Sequence, residues 1–252
     1  IQNHEVVPGD LVIDFTEQTE PNFLVHIQQA INLYSPEFTV IPSAELTSKN
    51  QEKIHDIDKL SNPKVALLRS DYANSLNYGE LWYFFEKQLK ASFDEITVNE
   101  FENESELASY STIVVPESYD TIPLLKLSKW VENGGTLILI SSSMSNWKFS
   151  TIQRENQPEV LPDSTVDFER ANVSAMINGA IFTCNLDKNS PLNFGVDHYY
   201  ALRQNPQITV NLRSKSSATI NASTPVNGFV GYLLKNHQLG TAVYGSEKLG
   251  KG

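Results

Sequence analysis

Between residues 62 and 140 the chain alternates four short apolar runs with stretches of helical periodicity. The runs cover 64–68, 96–98, 112–116 and 136–140 and predict four strands, the first fit for burial on both faces. Between the first two, Leu81, Trp82, Phe85 and Leu89 form one stripe and predict an amphipathic helix over 78–91. An acidic helix is predicted around 105–110. A further helix over 122–132 carries Leu124, Leu127 and Val131 on one face and ends at Asn133-Gly134-Gly135, a C-cap signal. Strand–helix alternation with short connections implies parallel strands joined by right-handed crossovers. The predicted class is therefore α/β, with a doubly wound, mainly parallel sheet.

The flanks have a different texture. Ahead of this region, the Pro8-Gly9 turn and the run Leu11-Val12-Ile13 predict a hairpin or strand within 6–15. Phe23, Ile27, Ala30, Ile31 and Tyr34 predict a helix over 22–34, and 39–41 reads as a short strand. Residues 43–62 read as a surface helix or linker, closed by the boundary signal Asn62-Pro63. Beyond residue 140 the pattern loosens into a loop over 141–174. Short β-type runs then follow at 180–183, 199–202, 208–210, 218–220, 229–232 and 241–244. This second half reads as a β-rich C-terminal extension.

Charge divides the chain at the same place. Residues 1–150 hold 22 acids and 10 bases, a net of −12, while 151–252 hold 8 and 9, a net of +1. The total of −11 argues against a nucleic-acid partner, because such binding rests on Lys and Arg neutralising phosphates. No apolar run approaches the roughly 20 residues of a membrane-spanning helix. The single cysteine, Cys184, excludes an internal disulfide and a cysteine-built zinc site.

In an open parallel sheet, ligands sit beyond the carboxyl ends of the strands. That rule places Asp71, Tyr72, Glu117, Ser118 and Ser141 on a ligand-binding rim. The same residue types also cap helices and satisfy loop amides. Ser141 follows a strand directly, which is where α/β enzymes mount a nucleophile, but no glycine flanks it. A serine nucleophile needs a base; His198, preceded by Asp197, and the later His237 are the available histidines, with Glu117 the nearby acid. Gly245-Ser246-Glu247-Lys248-Leu249-Gly250-Lys251 has phosphate-loop spacing, yet Gly252 stands where Ser or Thr should hold magnesium. The five histidines (His4, His26, His55, His198 and His237) are too scattered to form a metal-ligand pair, so no metal or cofactor is expected in this chain. Trp82-Tyr83-Phe84-Phe85 and His198-Tyr199-Tyr200 are aromatic enough for a sugar- or peptide-binding platform, although such spacing also suits a core. Three stretches, at Asn103, Asn172 and Asn221, match the N-glycosylation pattern, as an Asn-rich chain does by chance.

Four segments in order resemble the class I glutamine amidotransferase-like fold. They are Lys64-Val65-Ala66-Leu67-Leu68, Tyr78-Gly79-Glu80-Leu81-Trp82-Tyr83-Phe84-Phe85-Glu86, Ile113-Val114-Val115-Pro116-Glu117 and Trp130-Val131-Glu132-Asn133-Gly134-Gly135-Thr136-Leu137-Ile138. Together with Gly179-Ala180-Ile181-Phe182, Ser190-Pro191-Leu192-Asn193-Phe194-Gly195, Tyr199-Tyr200-Ala201-Leu202 and Asn227-Gly228-Phe229, they resemble the accessory domain at the C-terminal end of Bacteroidetes-type zinc carboxypeptidases of the carboxypeptidase A type. The resemblance covers 62–252. It implies that 1–61 is a lead-in segment from a preceding domain, and that 62–252 is an amidotransferase-like domain lacking its last strand, with Gly250-Lys251-Gly252 as a turn leading towards it. Active members carry a cysteine in a Gly-x-Cys-x-Gly turn; Ser141 occupies that position, the glycines are missing, and so is the late His-x-Glu. The resemblance thus implies a catalytically silent domain with a structural, substrate-presenting or partner-binding role. It implies a secreted or periplasmic bacterial protein, partnered by an N-terminal peptidase domain that holds the zinc. A peptide or carbohydrate is the ligand class expected. The alternatives are a hydrolase using Ser141 at a degenerate elbow and a sugar- or peptide-binding module.

Overall fold

A computed structural model describes residues 11–13, 15, 18–34, 62–102, 104–118, 123–146, 168–204 and 216–252. The chain separates into two compact units, Ile1–Asn62 and Pro63–Gly252. In the first, helix α1 spans Phe23–Tyr34, and the Phe23 ring meets Phe15 edge-on, with ring centroids 5.5 Å apart. Leu11, Val12 and Ile13 correct one expectation: they are exposed and irregular rather than a strand. Their apolar run has no pairing partner among the described residues, and an unpaired strand cannot satisfy its backbone. The predicted strand at 39–41, the linker at 43–61 and the β-run at 208–210 lie outside the described residues.

The second unit opens on an all-parallel sheet. Its strands are β1 (Val65–Leu68), β2 (Phe93–Ile96), β3 (Thr112–Val115) and β4 (Thr136–Leu139), in the spatial order β2-β1-β3-β4. The register pairs Ala66 with Asp94 on one side and with Ile113 on the other, while Ile113 faces Leu137 across the next pair. β1 is buried at every position, as its unbroken apolar run requires when both faces are covered. Helix α2 (Ser75–Tyr83) covers one face, where Tyr78, Leu81 and Phe85 pack on Val65, Leu67 and Val114. Helices α3 (Glu104–Leu107) and α4 (Leu124–Glu132) cover the other: Phe101, Leu107 and Leu127 pack on Ala66, Leu68, Ile113 and Val115. Each fully buried Leu contributes roughly 1.5–3 kcal/mol.

Two boundaries moved, each for a local reason. α2 begins at Ser75 because Asn74 caps it, its side-chain oxygen accepting from the amides of Leu76 and Asn77. The helix then continues as a π-turn over Phe84–Leu89, ending at Lys90 in a left-handed conformation. The wider turn breaks the 3.6-residue stripe, so Phe85 is buried while Leu89 is exposed. β2 starts and stops earlier than predicted, since Glu100 takes hydrogen bonds from the Thr97 amide and hydroxyl and turns the chain out of the sheet.

The β-rich half is an antiparallel sheet. Its strands are β5 (Ile177–Leu186), β6 (Tyr200–Arg203), β7 (Ser216–Ile220), β8 (Asn227–Val230) and β9 (Ala242–Gly245). β6 takes one edge of β5; β8 and then β7 share the other, and β9 pairs with β7. A bulge in the β5–β8 ladder falls between Ile177 and Ala180, where Gly179 has φ +85°. The opposing Gly228, at φ +92°, lies so close that an added Cβ would sit 2.1 Å from the Gly179 carbonyl oxygen. Ile177, Ala180, Phe182, Ile220, Val230 and Leu234 form the core of this half. The expected loop at 141–174 is corrected too: a 3-10 turn covers Ser141–Asn146 and helix α5 covers Phe168–Ser174. A last short helix, α6, spans Lys235–Gln238.

Candidate functional site

Parallel strands end together, so the segments leaving β1, β3 and β4 meet at one edge of the sheet. The chain leaves β1 and runs to β2 on one side, and leaves β3 and runs to β4 on the other. The carboxyl ends of β1 and β3 therefore flank the place where the strand order reverses. Glu117 stands there, two residues past β3 and half-buried.

Three segments converge on it. From the β4 side, the Ser141 hydroxyl donates to Glu117 Oε1 at 2.9 Å. From the β1 side, Asn74 Nδ2 donates to Glu117 Oε2 at 2.7 Å. The backbones are joined as well: the Asn74 amide donates to the Glu117 carbonyl at 2.8 Å, and the Glu117 amide donates to Asn77 Oδ1 at 2.8 Å. Ala73 and Ser118 add an isolated antiparallel bridge. The Ser142 hydroxyl donates to the Ser118 carbonyl at 3.2 Å, and Ser143 Oγ accepts from the Ile140 amide at 2.8 Å. Hydrogen bonds to a charged acceptor contribute about 1.5–3 kcal/mol each, at the lower end where water competes.

Ser141 is also conformationally unusual. It has φ +54° and is one of two described non-glycine residues with positive φ, the other being Lys90 at the end of the π-turn. Holding an L-residue there costs about 1–2 kcal/mol, and such strain gathers at functional turns, including nucleophile elbows. The serine itself takes the left-handed backbone here, with Ile140 and Ser142 rather than glycine on either side.

Of the predicted rim, the structure brings Glu117 and Ser141 into contact and places Ser118 in the same clasp. Asp71 and Tyr72 are exposed in the turn after β1. His198 and His237 are both exposed in the antiparallel half, His198 ahead of β6 and His237 within α6. The acceptor of the Ser141 hydroxyl is a carboxylate, where the sequence offered a histidine. His26 meets Glu20 at 3.3 Å, while His4 and His55 lie outside the described residues. Asn74 and Asn77 were missed by the sequence reading. The available signal was Asn74 itself, a strong N-cap residue directly before the helix.

Both Glu117 oxygens already accept hydrogen bonds, so the arrangement joins three loops more readily than it moves a proton. Cys184 offers no substitute nucleophile: it lies within β5, and burial pushes its thiol up from its ordinary range.

Elsewhere, a cleft of about 200 Å³ is lined by Ile96, Glu100, Glu106, Leu107, Ser109 and Tyr110, and shares no residue with the clasp. Among the described residues, no three His, Cys, Asp or Glu side chains gather as a metal ion would require. No described helix is long and apolar enough to cross a membrane. The chain matches no known family model and no curated protein.

Proposed function

We propose that residues 62–252 are a catalytically silent domain of the class I glutamine amidotransferase type, serving as an accessory module of a larger zinc-carboxypeptidase-like polypeptide. The observation that carries this reading is Ser141. It keeps the strained backbone of a nucleophile elbow at the end of β4, while its hydroxyl is held by Glu117 and Glu117 by Asn74. The strand order β2-β1-β3-β4, with α2 on one face and α3 and α4 on the other, supports the finer description of the sheet as doubly wound and flavodoxin-like. On this reading the elbow survives as a structural joint. The zinc, the peptidase chemistry and the export signal belong to other parts of the parent polypeptide. The module itself works without a cofactor, in a secreted or periplasmic setting.

Two experiments test it. Ammonia release from glutamine, measured for the wild type beside Ser141→Ala, is expected to stay at background in both. Release above background that Ser141→Ala abolishes contradicts silence. Parentage is tested by the reading frame that encodes the chain, which should carry a His-x-x-Glu peptidase domain upstream; a frame without one contradicts the accessory role.

A further inference from the structure

The antiparallel half presents a face that its core does not explain. Along β5, Ala180 and Phe182 point into the core, so Ile181 and Thr183 stand on the opposite face. Cross-strand pairing sets Leu202 and Asn227 on either side of Ile181, and Tyr200 beside Thr183. Phe229 lies two residues beyond Asn227 on the same face of β8. The apolar members are open to solvent: Ile181 is 38% exposed, Phe229 47%, Tyr200 58% and Leu202 59%. A solvated sheet face ordinarily alternates towards charged side chains. This one carries no Asp, Glu, Lys, Arg or His among these positions, in a chain with 30 acidic and 19 basic residues. The one basic residue of β6, Arg203, belongs to the inner face, where Nε donates to the buried Gln238 at 3.3 Å.

We propose that this face of β8, β5 and β6 binds an uncharged oligosaccharide or polysaccharide strand. Two properties select that occupant. The first is charge: two aromatic rings, two aliphatic side chains, an amide and a hydroxyl match a ligand with apolar C–H faces and neutral hydroxyls, and among the described residues of this face none is charged to hold a phosphate, uronate or charged peptide. The second is size. Three strands spaced about 4.8 Å apart and four residues long give an area of roughly 190 Å². A stable protein interface needs about 800 Å² per partner. Tyr200 and Phe229 stand on opposite outer strands, roughly 16 Å apart by strand geometry, which is the length of a short oligosaccharide. Their rings supply stacking surfaces; between them Asn227 offers its Nδ2 donors, its Oδ1 being taken by the Gly228 amide, and Thr183 Oγ1, which donates to Asn221 Oδ1, keeps its acceptor capacity. The inference is independent of the accessory-domain reading, since it uses neither the Ser141 elbow nor the parallel sheet.

Affinity electrophoresis tests it, using gels that contain mixed-linkage β-glucan, glucomannan, linear mannan or soluble starch, with polygalacturonate as the charged control. At least one neutral polymer should retard the wild type, equally at low and high salt because no charge is involved. Tyr200→Ala and Phe229→Ala should each weaken that retardation about tenfold, and Tyr200→Phe should preserve it. Leu202→Glu, at an exposed position that folding does not need, should abolish it while leaving the circular dichroism unchanged. No retardation by any neutral polymer, retardation by polygalacturonate alone, or variants that bind like the wild type would overturn the proposal. So would sedimentation showing a dimer that Phe229→Ala dissociates, which would assign the face to a second copy.

Discussion

The two sheets of the second unit are each fastened by a polar junction, built on opposite principles. In the parallel sheet the junction is charged and half-exposed: Glu117 gathers Ser141 and Asn74 where the loops leave the strands. In the antiparallel sheet it is neutral and buried. Asn193, 6% exposed, donates from Nδ2 to the carbonyls of Asp187 at 2.8 Å and Ser217 at 2.7 Å, while its Oδ1 accepts from the Tyr244 hydroxyl at 2.6 Å. Ser190 and Ser217 add a hydroxyl pair at 2.7 Å. The Tyr244 ring is fixed in turn by Tyr199, edge-on with centroids 5.1 Å apart. Deeper burial makes the neutral junction the less forgiving, because a deserted partner there meets less water. The charged junction can be dismantled with solvent as a substitute.

The largest effect should therefore come from the neutral side. Asn193→Ala removes three hydrogen bonds: the Asp187 and Ser217 carbonyls keep only the amides of Ser190 and Asp187, and the Tyr244 hydroxyl loses its acceptor, so the variant should cost about 3–4 kcal/mol in urea unfolding. A cost below 1 kcal/mol would erase the distinction between the two junctions. Gly228→Ala comes next, at about 2–4 kcal/mol, since the new methyl would meet the Gly179 carbonyl and φ +92° disfavours any side chain. On the charged side, Glu117→Gln keeps the shape and removes the charge, and should cost only about 1–2 kcal/mol. Ser141→Ala should cost about 1–2 kcal/mol, whereas Ser141→Gly should be close to neutral because relief of the left-handed backbone offsets the lost hydrogen bond. Equal losses for Ala and Gly would contradict the strain at this turn.

The smallest effect is electrostatic. Glu100 is held below its ordinary range, first by the Thr97 amide and then by the Thr97 hydroxyl. A carboxyl depressed in the folded state contributes stability above its unfolded value, which is lost as pH falls through the folded value. The Thr97 amide resonance should thus shift below the usual glutamate range, and Glu100→Gln should remove that step.

The two halves were also unequally legible. In the parallel sheet, 64–68, 112–116 and 136–140 are apolar runs and all three became strands, but only the central β1 and β3 are buried; β4, at the sheet edge, alternates exposed and half-buried positions. The misplacements came from side chains acting on the backbone, Asn74 at the start of α2 and Glu100 after β2, which periodicity does not register. In the antiparallel half the runs located β5 to β9 but not their partners. Register there depends on the glycine pair Gly179 and Gly228 and on the junction at Asn193, contacts between residues far apart in sequence. The site was half-legible for the same reason. Glu117 and Ser141 could be placed by the strand-end rule, but their mutual contact depends on β3 and β4 being neighbours in register, and Asn74 enters through a helix cap.

The central claim is that Ser141 occupies a nucleophile's backbone position without a nucleophile's reactivity. Incubating the folded chain with a fluorophosphonate probe and measuring intact mass tests it directly, with Ser141→Ala as the control. The account predicts unmodified wild-type protein. A stoichiometric adduct that maps to Ser141 and disappears in Ser141→Ala would show a reactive hydroxyl, contradict the silent reading and favour the hydrolase alternative.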